Sequence, residues 1–141
     1  MTATDFRVAR DMLDADVASR ALGIELLELS AGCARMSMTV TPEMANGYSI
    51  THGGYVFLLA DTTFALACNS YDEPAVAARA DIRYLRPTKV GDVLVADAVE
   101  RARFGRNGIY DVTVTCGDDV VAEFRGDSRT VSSTAGRDRQ R

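Results

Sequence analysis

The segment from Tyr55 to Ser70 constrains the fold of this chain more than any other. Its sequence, YVFLLADTTFALACNS, contains one formally charged residue, Asp61. A helix that is apolar on nearly all sides has no solvated face, so we expect it to be buried on all sides. A helix over residues 55–70 is about 24 Å long, and it is too short and too polar for a membrane span. We therefore predict a central core helix here.

The remaining chain alternates between helical and strand patterns. Residues 5–22 carry apolar side chains at helical spacing and end at Gly23, which predicts one or two short amphipathic helices. Two apolar runs within residues 24–41 predict a β-hairpin, and residues 42–51 are predicted as a loop. Period-2 alternation then predicts four further strands, over residues 76–85, 93–103, 108–116 and 120–129.

One buried helix and about six strands indicate an α+β architecture, in which a curved antiparallel sheet wraps round the helix as in the hotdog fold. We predict that the last four strands follow one another in antiparallel order. Such a small sheet leaves open edges and an incompletely covered helix, so pairing of two chains is expected. Residues 1–131 are predicted as one domain, and residues 132–141 as a disordered tail.

Composition excludes several classes of function. A chain of 141 residues with a net charge of −4 favours a single domain, and argues against duplex nucleic acid or an anionic membrane as the main partner. Three widely spaced cysteines and one histidine do not provide the ligands of a structural zinc site. Because the N-terminus is charged and lacks an apolar region, we expect no signal peptide and a cytoplasmic protein with reduced thiols.

Asp61 is the residue that hydrophobic packing does not explain. Moving a carboxylate into an apolar helix costs several kcal/mol unless it is hydrogen-bonded or its pKa rises. This cost suggests that the carboxylate has a chemical use. The alternative is structural: Asp61 faces a hydrated dimer interface or accepts a hydrogen bond from a neighbouring backbone N–H.

The tripeptide His52-Gly53-Gly54 lies where the helix begins. Consecutive glycines allow the backbone to present N–H groups where the helix dipole already favours negative charge. A thioester carbonyl could be polarised there, which acyl transfer requires. The alternative is a simple glycine loop with His52 near the helix cap.

The spacing between Gly53 and Asp61 predicts a shared site. Eight residues of helix span about 12 Å, so both groups of one chain cannot contact one thioester. Two helices that run antiparallel across a dimer would bring Gly53 of one chain to Asp61 of the other. We therefore predict two such sites per dimer.

Positive charge is concentrated locally despite the acidic total. Residues 79–106 contain seven basic and four acidic side chains. Arg86 and Lys89 flank Pro87, and Arg103 and Arg106 flank the next turn, where they could contact the phosphates of a nucleotide-bearing carrier. The alternative is an ordinary solvated face.

Several segments together carry a resemblance to a known family. They are Asn46-Gly47, His52-Gly53-Gly54, LADTTFALACNS, RYLRPTKVGD, GIYDV and FRGDSR. Over roughly residues 10–131, the chain resembles the hotdog-fold acyl-CoA thioesterases of the phenylacetic acid degradation type. The combination of HGG with an aspartate eight residues after its first glycine is more specific than any one segment.

The resemblance implies roles for individual residues. The Gly53 N–H would bind the thioester carbonyl, Asp61 would act as nucleophile or general base, and Asn46 would orient the reacting groups. His52 invites an acid/base role, but we expect it mainly to shape the turn. Gly54 and two segments would hold CoA: Tyr84, Leu85, Arg86, Pro87, Thr88 and Lys89, and Arg103, Arg106, Asn107 and Gly108.

The resemblance also implies a tetramer built as a dimer of dimers, with no metal or redox cofactor and an acyl-CoA as the substrate. The hypothesis is hydrolysis of an aryl-acetyl-CoA, whose ring would lie against Tyr48, Phe57 or Phe64. Two alternatives stay open: an enoyl-CoA hydratase or dehydratase of the same fold, and a non-catalytic module that binds acyl-CoA. The hydratases pair a histidine with a carboxylate, whereas the one histidine here lies inside HGG.

Overall fold

A six-stranded antiparallel sheet packs round one long helix in the computed structural model, which describes residues 5–131. This confirms the predicted α+β hotdog architecture; the predicted tail, residues 132–141, lies outside the described residues. The helices are α1 (Arg7–Ala15), α2 (Val17–Ala21) and α3 (Gly53–Cys68), with a 3₁₀ turn at Pro42–Met44. The strands are β1 (Glu25–Ser30), β2 (Cys33–Thr39), β3 (Ala75–Tyr84), β4 (Val93–Phe104), β5 (Asn107–Cys116) and β6 (Asp119–Thr130).

The strand order is β1-β2-β4-β5-β6-β3. The predicted succession holds for β4, β5 and β6, but β3 pairs with β6 at the sheet edge instead of with β4. The connection 85–92 crosses the end of the sheet. At the start of this connection, the Leu85 N–H donates to the Val121 carbonyl at 2.9 Å. Near its end, the Gly91 N–H donates to the Val40 carbonyl at 2.9 Å. This crossover places β4 between β2 and β5.

The hydrophobic core lies between α3 and the sheet. Phe64 of α3 is fully buried, and its ring centroid is 5.7 Å from those of Tyr110 and Phe124. A Cβ atom on Gly126 would lie 2.8 Å from the Phe64 ring, so this strand position requires glycine. Aromatic packing of this kind fixes the rotation of α3 about its own axis.

Helix α3 begins at Gly53, two residues before the predicted start, and one face of it is open. Leu59, Phe64 and their neighbours are buried, as predicted for a core helix. The prediction that the helix is buried on all sides is wrong for one stripe of its surface. This stripe, called the open stripe below, is half-buried or exposed in the described chain and consists of Gly54, Leu58, Asp61 and Ala65. One small sheet contacts only part of a helix surface, so this stripe is left uncovered by residues 5–131.

No helix within residues 5–131 has both the length and the apolar character that a membrane crossing requires.

Candidate active site

The loop before α3 is built round Asn46. Its side-chain oxygen accepts hydrogen bonds from the Tyr48 N–H at 2.8 Å and the Ile50 N–H at 3.3 Å. The backbone N–H of Asn46 donates to the Ile50 carbonyl at 2.8 Å, which closes the loop. An asparagine that bonds the backbone two residues ahead stabilises a tight turn. Asn46 therefore holds the shape of the loop that enters α3.

His52 is the N-cap of α3. Its Nδ1 atom accepts the hydrogen bond that the Gly54 N–H donates, at 3.0 Å. This contact occupies the Gly54 N–H and makes the His52 side chain part of the turn. That His52 mainly shapes the turn stays a prediction.

The Gly53 N–H is the free donor of this turn. It has no acceptor among residues 5–131, and it lies at the first position of α3. The first N–H groups of a helix lack intrahelical partners and lie at the positive end of its dipole. A carbonyl oxygen that gains negative charge would therefore be stabilised at this N–H.

A groove formed by two adjoining cavities passes Gly53. The first has a volume of about 430 Å³ and is lined by Asn46, Gly53, Val56 and Tyr84, with Leu85, Arg86, Pro87 and Thr88. The second, of about 370 Å³, shares Ile50, Arg86, Pro87, Thr88 and Val121 with the first. It extends to Lys89, Asp92, Cys116 and Asp119. The structure thus brings the predicted segment 84–89 together with Asn46 and Gly53.

The segment 84–89 is fixed to the turn before α3. The Thr51 N–H donates to the Thr88 carbonyl at 2.8 Å, and the two hydroxyls of Thr51 and Thr88 lie 2.7 Å apart. Thr88 is buried, so its hydroxyl serves this contact. Arg86 donates to the Val120 carbonyl at 3.0 Å, and Lys89 remains exposed in the second cavity. The second cavity is therefore lined by two cations, Arg86 and Lys89, and by the carboxylates of Asp92 and Asp119.

Asp61 is half-buried on the open stripe, and its carboxylate makes no hydrogen bond or ion pair with any residue of the described chain. The alternative in which it accepts a hydrogen bond from a backbone N–H is thus not realised within residues 5–131. Burial raises the pKa of Asp61, and the negative charge of Asp16 raises it further. Both effects make the ionised carboxylate a stronger base than an exposed aspartate.

Asp16 was missed by the sequence reasoning. It is the N-cap of α2, where its carboxylate accepts from the Ser19 N–H at 3.0 Å and the Ser19 hydroxyl at 2.6 Å. The Ser19 hydroxyl also lies 2.8 Å from that of Thr62, next to Asp61. The Asp16-x-x-Ser19 spacing is a helix-capping signal, but contact with α3 depends on tertiary packing.

Asp61 does not line the cavity that contains Gly53. The eight residues between them correspond to about 12 Å along the helix. Within one chain, the two groups are therefore separate.

The second predicted CoA segment lies at the opposite end of α3. Arg103, Arg106, Asn107 and Gly108 line a small cavity of about 30 Å³ next to Cys68. The Arg103 guanidinium stacks 3.6 Å over the Tyr71 ring and lies 3.7 Å from the Glu100 carboxylate. The structure does not bring these residues to the groove beside Gly53 within one chain.

The three aromatic candidates for an acyl pocket differ in accessibility. Phe64 belongs to the core, so the prediction that it could contact an acyl group is wrong for this residue. Phe57 is half-buried and packs edge-on against Phe124, with ring centroids 5.5 Å apart. Tyr48 is 87% exposed. Only Tyr48 and Phe57 retain surface for a ligand.

The cysteines and the possible metal-ligating side chains of residues 5–131 are the remaining groups with reactive chemistry. Cys33, Cys68 and Cys116 are free thiols, and burial raises the pKa of Cys68 to about 12. A thiol with that pKa is protonated at neutral pH and is a poor nucleophile. No three His, Cys, Asp or Glu side chains within residues 5–131 are grouped to hold a metal ion.

The influence of Asp16 on Asp61 predicts a shift in pH dependence. If ionised Asp61 is the reacting group, activity is lost as the pH falls through its raised pKa. Asp16→Asn removes the neighbouring negative charge but keeps a good N-cap for α2. The pKa of Asp61 should fall, so the acid limb of kcat/KM should move to lower pH. Asp11→Asn, an exposed change in α1, should leave the profile in place, and an unmoved limb in Asp16→Asn would contradict the coupling.

Comparisons with known proteins agree with this geometry. A model of the Thioesterase superfamily matches residues 48–123, a range that contains His52, Gly53 and Asp61. Acyl-coenzyme A thioesterase PaaI of Escherichia coli K12 is 42% identical over 127 residues, which cover 89% of this chain and 91% of the relative.

Two solved structures are similar to the chain. The E. coli PaaI protein from the phenylacetic acid degradation operon has a TM-score of 0.87 at 41% identity, covering 90% of this chain and 93% of that one. A Streptococcus mutans UA159 protein bound to acetyl CoA has a TM-score of 0.74 at 27% identity, covering 77% of this chain and 89% of that one. The similarity thus spans both the helix and the sheet.

Proposed function

Because the chain belongs to the thioesterase superfamily, we propose that it is an acyl-CoA thioesterase that hydrolyses aryl-acetyl-CoA thioesters, such as phenylacetyl-CoA, to the free acid and CoA. The observation that carries this proposal is the Gly53 N–H, a free donor at the positive end of α3, beside a groove that Arg86 also lines. The name of the E. coli relative and the acetyl CoA bound to the S. mutans protein support a CoA thioester as the ligand.

The proposed reaction begins with the thioester carbonyl oxygen bound to the Gly53 N–H. As the carbonyl carbon is attacked, negative charge builds on that oxygen, and the N–H with the helix dipole stabilises it. Asp61 either takes a proton from the attacking water or attacks the carbon itself, giving an anhydride that water opens. In both routes the C–S bond breaks, CoA leaves as a thiolate and takes up a proton. The route needs no metal or organic cofactor.

The proposed active unit is a dimer. Strand β3 is ten residues long, contains no proline, and pairs with β6 on one side only. No other strand within residues 5–131 pairs with its second edge, and the backbone groups there favour pairing with a further strand. The open stripe of α3 likewise has a half-buried apolar residue, Leu58, beside the carboxylate of Asp61. A second copy of the chain would cover both surfaces.

An antiparallel arrangement of the two α3 helices would complete the site. It would bring the carboxylate of Asp61 from one chain towards the Gly53 N–H of its partner. It would also move the turn 103–108, at the far end of α3, towards the partner's segment 84–89. Both predicted CoA segments would then serve one ligand.

The proposal also covers the acyl-binding surface, the oligomeric state and the cellular location. The aryl group would contact Tyr48 or Phe57, the two candidates with accessible surface. The dimers would associate in pairs as tetramers, which a measured mass of four times 15.2 kDa would support. The proposed location is the cytoplasm, where free thiols such as Cys33 stay reduced.

Thiol release from three substrates tests the proposed function. We expect phenylacetyl-CoA and hydroxyphenylacetyl-CoA to be hydrolysed with a higher kcat/KM than a straight-chain acyl-CoA of similar size. Binding of all three without release of thiol would favour the non-catalytic module. Hydration of an enoyl-CoA without thioester cleavage would favour the hydratase.

A further inference from the structure

We propose that Tyr84 is a positioning residue that fixes the orientation of the Gly53 backbone for catalysis; this inference rests on the proposed function. The Tyr84 hydroxyl donates a hydrogen bond to the Gly53 carbonyl at 2.9 Å. Its ring lies against the same glycine, since a Cβ atom on Gly53 would be 3.0 Å from Cζ of Tyr84. Tyr84 is the last residue of β3, so this contact ties the sheet edge to the start of α3.

The hydrogen bonds round Gly53 leave one backbone donor free. The His52 carbonyl accepts from the Tyr55 N–H at 3.0 Å, and the Gly54 N–H donates to His52 Nδ1 at 3.0 Å. The Tyr84 hydroxyl donates to the Gly53 carbonyl, so both the carbonyl oxygen and the N–H of the peptide between Gly53 and Gly54 are hydrogen-bonded. Among the backbone N–H groups of residues 52–54, the Gly53 N–H is the one without a partner in the described chain.

Glycine needs this restraint more than any other residue. It has no Cβ and a wide range of backbone angles, so a terminal helical glycine readily changes its orientation. The β3 end that carries Tyr84 is itself fixed, because the Leu85 N–H donates to the Val121 carbonyl at 2.9 Å. Burial raises the pKa of Tyr84, so the phenol stays protonated and remains a donor at neutral pH. The hydroxyl therefore restrains the Gly53–Gly54 peptide directly. Through the Gly53 Cα, against which the Tyr84 ring packs, it limits the orientation of the preceding peptide, whose N–H would meet the thioester oxygen.

Tyr84→Phe tests this role, because it removes the hydroxyl and keeps the ring against Gly53. A displaced oxyanion donor lowers transition-state stabilisation more than substrate binding, so kcat should fall about tenfold with KM changed less than about twofold. Thr113→Val is the control for the loss of a hydroxyl. The Thr113 hydroxyl of β5 donates a hydrogen bond to the Glu123 carboxylate at 3.4 Å, and Thr113 belongs to neither proposed CoA segment. This variant should keep the wild-type kcat.

A second measurement separates this inference from the proposed function. In protein labelled with ¹⁵N-glycine, the amide resonances of Gly53 and Gly54 should shift in Tyr84→Phe and stay in place in Thr113→Val. An unchanged kcat in an active enzyme, or a raised KM alone, would overturn the positioning role and leave the thioesterase assignment intact. If the wild-type protein released no thiol, the proposed function would fail. Glycine resonances that do not shift in Tyr84→Phe would overturn the contact between Tyr84 and Gly53, whatever the activity of the protein.

Discussion

Replacing Asp61 with asparagine is expected to lower kcat on phenylacetyl-CoA by about 10²- to 10⁴-fold, with little change in KM. The carboxylate makes no hydrogen bond or ion pair within residues 5–131, so its ionised form is available to react. Asparagine has the same shape but cannot act as a base, and its amide is a weak nucleophile. Thiol release measured at saturating substrate reports this loss directly.

Thermal unfolding separates lost chemistry from lost structure in the same variant. Burial raises the pKa of Asp61, so the ionised carboxylate destabilises the folded state at pH values above that pKa. A neutral asparagine removes this destabilisation, so the Tm of the Asp61→Asn variant at pH 7 should equal or exceed that of the wild-type protein. Asp11→Asn makes the same change at an exposed position of α1 and should alter neither kcat nor Tm. If the kcat of Asp61→Asn stayed within about threefold of the wild-type value, the Asp61 carboxylate would have a structural role only. That result would favour the alternative of a non-catalytic module that binds acyl-CoA.

Replacing Gly53 with proline is expected to lower kcat by about 10²- to 10³-fold relative to Gly53→Ala, because proline has no N–H for the oxyanion. The fold should accept the change. Gly53 is the first residue of α3, where proline is common, and its N–H has no acceptor within the described chain. His52 has φ −62° and ψ 132°, the extended region that a residue before proline requires.

Gly53→Ala is the control for the added side chain. Both variants place a Cβ atom about 3.0 Å from Cζ of Tyr84, so both must displace that ring slightly. Alanine keeps the N–H and proline replaces its hydrogen with Cδ, so the ratio of their kcat values reports the loss of this donor together with the ring carbon that takes its place. Equal activity in the two variants would contradict the role of Gly53 as the oxyanion donor.

Much of the fold follows from local patterns in the sequence. The apolar run with Asp61 predicts a core helix because a solvated face would carry charge, and the alternating runs predict β4, β5 and β6 within about one residue. The HGG segment identifies the start of α3, where His52 acts as the N-cap. In each case the structure is determined by residues close together in the chain.

The features that sequence reasoning missed depend on contacts between distant segments. The place of β3 beside β6 requires a crossover at residues 85–92, whose proline and glycine look like an ordinary turn. Tyr84 contacts Gly53 across 31 residues, and Asp16 influences Asp61 through the packing of α2 on α3. The open stripe of α3 depends on how far the sheet curves, which no local pattern reveals.

Mixing two inactive variants tests the shared site most directly. In a dimer of one Gly53→Pro chain and one Asp61→Asn chain, one site takes a normal Gly53 and a normal Asp61, and the other site takes both changes. Random reassociation at equal concentrations makes half the dimers mixed, so activity should return to about a quarter of the wild-type value per chain. If each site were built within one chain, every site would carry one change, and the mixture would stay as inactive as its components.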